Sequence, residues 1–162
     1  RMDLIQSHYQ MLAGICIEFC VVAERLDLLF GDIFHRFVTV NQVRVFLDLL
    51  EPYILREKIT YLPPEVMAAF VDNFQHKGDL GAVERCLLHM DVMILDFDTI
   101  VNICRKHRLY SALVHVYTRG LDDFVTPLEL LTEGAMAAVD GHMDKLAEAA
   151  SGAASGAANG AG

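Results

Sequence analysis

Between Leu62 and Leu128 the apolar residues fall on one side of a helix four times in succession, and this constrains the fold more than any other feature of the chain. The first two sets are Met67, Phe70, Val71, Phe74 and Val83, Cys86, Leu87, Met90. The next two are Ile100, Ile103, Cys104, His107, with one polar member, and Leu109, Ala112, Leu113, Val116. Each set has the spacing i, i+3, i+4, i+7, which draws a single stripe on an α-helix, and four stripes in a row predict antiparallel helices that bury a shared seam. Sliding the segment along itself lays Lys77 to Val83 over His107 to Leu113, so Ala82 falls on Ala112 and the offset is 30 (112 minus 82). That length suits an α-solenoid of helix pairs. Each pair then has a tight turn, marked in the first by Gly78, and a small residue, Ala82 or Ala112, where its second helix lies close to the first. The alternative on spacing alone is two unrelated amphipathic hairpins.

The flanking chain fits the same class. From Leu4 to about Phe37 the positions Ile5, Leu12, Ile15, Cys16, Phe19, Val22, Leu26, Leu29, Ile33 and Phe37 keep a helical stride. Gly14 and Gly31 predict breaks or close packing points, hence two or three helices there. Asn41 reads as the N-cap of a helix with Val43, Phe46, Leu47 and Leu50 on one face, Pro52 ends that helix or starts a new turn, and Ile54, Leu55 and Ile59 suggest a short amphipathic segment. Pro64 suits the first turn of the next helix, with Glu65 at its positive end, and Pro127 starts another. The division is an α-solenoid segment over 1–133 and a low-complexity tail over 134–162. No large side chain follows Leu146, so the tail cannot bury enough surface to offset the entropy of ordering and is expected to be disordered, whether native or engineered. The opening Arg1-Met2 suggests a piece cut from a longer chain.

The formal charge of -9 and pI near 5.1 exclude a nucleic-acid surface, which needs clustered Lys and Arg to displace counterions. Basic partners fit better. Cys16, Cys20, Cys86 and Cys104 lie in apolar stripes behind no signal peptide, which points to reduced thiols in the cytosol. The most apolar stretch, Met11 to Phe30, is broken by Glu18, Glu24, Arg25 and Asp27, short of the ~18 uninterrupted apolar residues a membrane span needs.

A zinc-dependent regulatory module is the sharpest alternative to a scaffold. Cys86 with His89, and Cys104 with His107, stand at i, i+3 spacing, and two such pairs supply the four ligands of tetrahedral zinc. Against it, both cysteines already belong to apolar stripes, His89 lies off its stripe, and His107 follows a basic pair. Asp91, Asp96, Asp98, Asp122 and Asp123 sit at predicted helix ends, where capping accounts for them better than acid-base chemistry. Cys104 with His115 or His107 has neither an activating turn nor an oxyanion-hole motif, and no glycine-rich loop follows a strand. No enzyme activity and no cofactor are expected. Arg105, Lys106 and Arg108, around His107, form the concentrated basic patch: either a docking site for an acidic partner or anionic surface, or a solvated helix C-terminus.

Several blocks in order, Leu26 to Gly31 (LDLLFG), Phe46 to Leu55 (FLDLLEPYIL), Leu62 to Met67 (LPPEVM), Leu95 to Asp98 (LDFD) and Leu109 to Leu131, resemble the central region of the vacuolar protein sorting-associated protein 8 family. The resemblance covers about Ile5 to Glu133. It implies a stretch of α-solenoid with clathrin-heavy-chain-like repeats from a subunit of the CORVET complex, which tethers early endosomal membranes before fusion. It further implies other tethering-complex subunits as partners and a cytoplasmic location, peripheral on early endosomes through the full complex. The family's β-propeller, its RING zinc domain and ubiquitin-ligase activity have no counterpart motif here, and its contact with early-endosomal Rab GTPases cannot be assigned to this segment. A related coat or HOPS-type subunit is the neighbouring alternative, against which the LDLLFG and RGLDDFVTPLELL blocks argue.

Overall fold

The computed structural model describes residues 2–123 and 125–158. A first compact unit runs to Asp122 and a second begins at Asp123. The first holds α1 (Met2–Val22), α2 (Leu26–Leu28), a π-helical turn (Leu29–Ile33), α3 (Phe34–Thr39) and α4 (Val43–Leu55). It continues with α5 (Pro64–His76), α6 (Leu80–Leu88), α7 (Phe97–His107) and α8 (Tyr110–Gly120). The second holds α9 (Val125–Ala158), and no strand occurs among the described residues. The chain is an all-α solenoid.

The packing follows the stripes, except on α7, where Val101 is buried and Ile103 and His107 are only half-buried. Helix α1 lies on α4, α4 on α6, and α6 on α8, so these four form one row; α3 and α5 flank α4, α5 also meets α6, and α7 pairs with α8. Phe70 and Phe74 of α5 approach to 4.8 Å between ring centroids, and Phe46 of α4 lies 5.9 Å from Phe34 and 5.3 Å from Phe37. Ala82 and Ala112 have no exposed surface. Between the pairs the connections are apolar as well: Ile59, Leu62, Val92 and Leu95 are buried, and the Asp91 N–H donates to the Thr60 carbonyl at 2.9 Å, joining the two connecting segments.

Five helix ends share one stop. Glu24, Asn41, Glu57, Gly78 and Arg108 take positive φ of 55°, 57°, 57°, 72° and 59°. The amide after each donates to the carbonyl five residues back: Arg25 to Cys20, Gln42 to Phe37, Lys58 to Tyr53, Asp79 to Phe74 and Leu109 to Cys104, at 2.8 to 2.9 Å. This is the Schellman closure, which satisfies carbonyls a helix end would otherwise leave open. One of the five is glycine. Glu24, Glu57 and Arg108 hold a left-handed backbone that costs an L-residue about 1 kcal/mol relative to glycine, so tertiary packing must hold those turns.

Several local expectations are corrected. Asn41 ends α3 in the left-handed conformation instead of capping α4, whose N-cap position is Gln42. Pro52 sits inside α4; it withholds an N–H from the Asp48 carbonyl, but only one turn remains, so the helix continues to Leu55. Ile54 and Leu55 belong to that helix and Ile59 to the connection after it. Gly14 lies within unbroken α1 and Gly31 in the π turn, and a Cβ at either would meet nothing within 4 Å. The stripe read in the first helix is mostly its solvent side: α1 buries Ala13, Ile17 and Cys20, while Ile5, Leu12, Ile15, Phe19 and Val22 are exposed.

The segment 134–162, expected to lack structure, is helical as far as Ala158, within α9 and across the boundary drawn at Glu133. Residues 135–153 are exposed, so burial does not order them; alanine's helix propensity, the highest of any residue, does. Asn159 to Gly162 lie outside the described residues.

Candidate interaction surfaces

Chemistry that the sequence allowed is dispersed by the fold. Cys86 on α6 and Cys104 on α7 are fully buried, and their thiols are pushed up to about 12, mainly by loss of water and then by Glu51 and Glu84 respectively. At neutral pH both are protonated thiols, poor as nucleophiles and as metal ligands. Helix α6 ends at Leu88, so His89 turns outward, with Nδ1 3.4 Å from Glu57 Oε1; His107 is the half-buried last residue of α7. Cys86, His89, Cys104 and His107 are therefore not gathered, and among the described residues no group of three or more His, Cys, Asp or Glu side chains could hold a metal ion.

The aspartates are used locally. Asp79 Oδ1 accepts the Ala82 N–H at 3.2 Å at the start of α6, and Asp91 Oδ1 accepts the Met93 N–H at 3.0 Å. Asp96 precedes α7 and takes the Thr99 hydroxyl. Asp123 accepts the Val125 N–H at 2.9 Å, the Thr126 N–H at 3.2 Å and the Thr126 hydroxyl at 2.5 Å; that hydroxyl, ahead of the amides, holds its carboxyl below the usual range. Pro64 is the first residue of α5, and Pro127 lies in the first turn of α9, where a missing N–H costs nothing.

Three surfaces remain. At the turn from α7 to α8, Arg105, Lys106 and Arg108 are exposed; Arg108 Nε donates to the Tyr110 hydroxyl at 3.3 Å, and none of the three makes an ion pair among the described residues. Beside them, Val71 and Gln75 of α5 and Asn102, Ile103 and Lys106 of α7 line a groove of about 430 Å³. A second cleft of about 420 Å³ holds Glu57, His89, His115 and Arg119; burial first, then Arg119 and His89, lowers the His115 pKa from its ordinary 6.5. The third is the outer side of α1, where large apolar side chains face water.

One polar contact escaped the sequence reading. Asn73 is 2% exposed, its Nδ2 donates to Asp48 Oδ1 at 2.7 Å, and Lys77 Nζ lies 2.6 Å from the same oxygen, joining α5 to α4. The Asn73 Oδ1 has no hydrogen-bond partner among the described residues. Asn73 lies between Phe70 and Phe74 on one stripe, and a lone amide on an apolar stripe was the signal available.

The protein-family model described as "Vps8 central TPR" matches residues 45–158. The mouse protein described as "Vacuolar protein sorting-associated protein 8 homolog" is 38% identical over 133 residues, 81% of this chain and 9% of its own length. Its human counterpart is 35% identical over the same span and shares. The baker's yeast "Vacuolar protein sorting-associated protein 8" is 21% identical over 92 residues, 57% of this chain and 7% of its own. The chain thus spans about a tenth of the length of these relatives. No solved structure matches.

Proposed function

This chain belongs to the Vps8 family, and on that premise we propose that it is a non-catalytic scaffold segment of an endosomal membrane-tethering subunit. It serves vesicle tethering and endosome-to-vacuole protein transport through contacts with other proteins. The observation that carries the reading is the row α1, α4, α6, α8, in which seam after seam is filled by apolar side chains while the turns stay at the surface. Such a stack is a stiff spacer, and a spacer promotes fusion by raising the effective concentration of the factors bound along it.

The partners are other subunits of the tethering complex; an early-endosomal Rab GTPase is a partner of the complete protein, with no residue here assigned to it. Arg105, Lys106 and Arg108 serve as the docking patch for an acidic surface of such a subunit, an arrangement in which opposite charge speeds encounter and fixes orientation. No helix among the described residues is long and apolar enough to cross a membrane, and endosomal association comes through the complex. The test is deletion of this segment from the only cellular copy of the protein. Early endosomes should disperse and vacuolar cargo should stall, with rescue on restoring the segment; normal cargo delivery without it would overturn the reading.

A further inference from the structure

Helices α5 and α7 each open a helix pair, and each carries a second stripe beside its apolar one. On α5 it is Ala68, Val71, Asp72 and Gln75, one residue past the buried Met67, Phe70, Val71 and Phe74. On α7 it is Thr99, Asn102, Ile103 and Lys106, one residue before Ile100, Ile103, Cys104 and His107. One residue is about 100° of turn, so the two second stripes rotate away from the core in opposite senses. They stand as the two walls of the groove of about 430 Å³. Its chemistry changes along its length. Val71, buried, and Ile103, half-buried, make the middle apolar, and Gln75 and Asn102 put an exposed amide on each wall. Neither side-chain amide makes a hydrogen bond among the described residues. Lys106 and His107 close one end, with Arg105 and Arg108 within a turn of them. At the other end the Thr99 hydroxyl is given to Asp96, and Thr99 also lines a hollow of about 200 Å³ with Tyr61, Pro64 and Ile94.

We propose that the groove between α5 and α7 binds a short extended segment of a partner protein, one that joins an apolar side chain to acidic ones. The apolar side chain lies on Val71 and Ile103, the acids meet Lys106, Arg105 and Arg108, and the segment's backbone pairs with Gln75 and Asn102. This rests on the reading of the three basic residues as a docking patch and adds the groove to it. An extended segment is the occupant because an amide side chain offers both a donor and an acceptor, and a helix already spends its own backbone groups internally. Charge sets the sign. The chain carries -9, but charges beyond about 8 Å are largely screened at physiological ionic strength, so three unpaired cations within one turn govern that end. Asp72, whose Oδ1 lies 3.4 Å from His76 Nδ1, stands beside the apolar middle and keeps acids to the Lys106 end. Asp72 and Asp96 also oppose a phosphate backbone laid along the groove, and a flat anionic membrane does not reach into it.

The test is panning of phage-displayed random heptapeptides against the 162-residue chain, against Lys106→Glu and against the double variant Gln75→Ala with Asn102→Ala. All three positions are exposed, and circular dichroism checks that each variant folds. Peptides enriched on the parent chain should combine an apolar residue with at least two acids. A synthetic copy of one, followed by fluorescence anisotropy, should bind at least about 10-fold more weakly to Lys106→Glu and about 10-fold more weakly to the double variant. Lys106→Gln repeats the measurement should Lys106→Glu fail to fold. Enriched acidic peptides that need no apolar residue, and that the double variant binds as well as the parent, overturn the groove and leave the basic patch standing. Enrichment of no acidic peptide overturns groove and patch together, and cosedimentation with phosphatidylserine vesicles in that case assigns the basic residues to a membrane.

Discussion

Helices α5 and α1 spend the same kind of side chain differently. Phe70 of α5 is fully buried, and the rest of its stripe, Met67, Val71 and Phe74, is at most 5% exposed. Phe19 of α1 is 61% exposed, amid neighbours equally open to water. The difference lies in neighbours: α5 is flanked by α4 and α6, whereas α1 is covered on one side. Apolar content predicts how much surface a helix can bury, and the neighbours decide how much it does bury.

The largest effect that would break this contrast is at the two phenylalanines. Phe70→Ala should cost about 3–5 kcal/mol in urea unfolding, while Phe19→Ala should stay within about 0.5 kcal/mol. Similar losses at both positions would mean that α1 is covered in solution by something the isolated fold lacks. Next, Ala112→Trp should overpack the point where Ala112 has no exposed surface, destabilising by about 1–3 kcal/mol or more; an unchanged melting temperature would place that residue at solvent.

Smaller effects test the shared turns. Gly78→Ala should lose, and Arg108→Gly should gain, about 0.4–1 kcal/mol, because both positions have positive φ and a Cβ at Gly78 would meet nothing within 4 Å. Equal and opposite shifts in denaturant midpoint would show the two turns to be equivalent by conformation alone. The smallest effect is a pH dependence at His115. Its folded pKa is lowered, so between that value and the unfolded one near 6.5 the unfolded chain binds more protons; stability is full above about 6.5 and declines as pH falls. His115→Gln should flatten this slope below pH 6.5 and leave neutral stability close to that of the parent chain.

The stripes from Met67 to Val116 were legible because a helix stripe depends on residues at most seven apart, and the offset that pairs Ala82 with Ala112 also pairs Gly78 with Arg108, the two left-handed turn residues. Glu24 and Glu57 make the same turn without any residue that announces it. At Asn41 the residue type suited either a helix start or a left-handed stop, and the preceding helix claimed it. Among the candidate site residues, the i, i+3 pairs were visible, but not that α6 would end at Leu88 and swing His89 away from Cys86. The basic character of Arg105, Lys106 and Arg108 was plain, whereas the groove beside them exists only because α5 and α7 come together. Helix α9 runs through the tail as far as Ala158, where alanine's local preference favours helix although the side chains of residues 135–153 stay exposed.

By itself the sequence determined the helical stripes between Met67 and Val116, the proline-led start of α5 and the offset of 30 between the two helix pairs, since these follow from hydrogen bonds and side-chain spacing within a few residues of chain. Only the tertiary structure decided which side of α1 faces α4, that Asn73 meets Asp48 across two helices, and that Glu24, Glu57 and Arg108 hold a backbone they would not choose alone. Each of those depends on packing between segments distant in the chain, and the energy of a helix-to-helix seam is large enough to override a local cost of about 1 kcal/mol per residue.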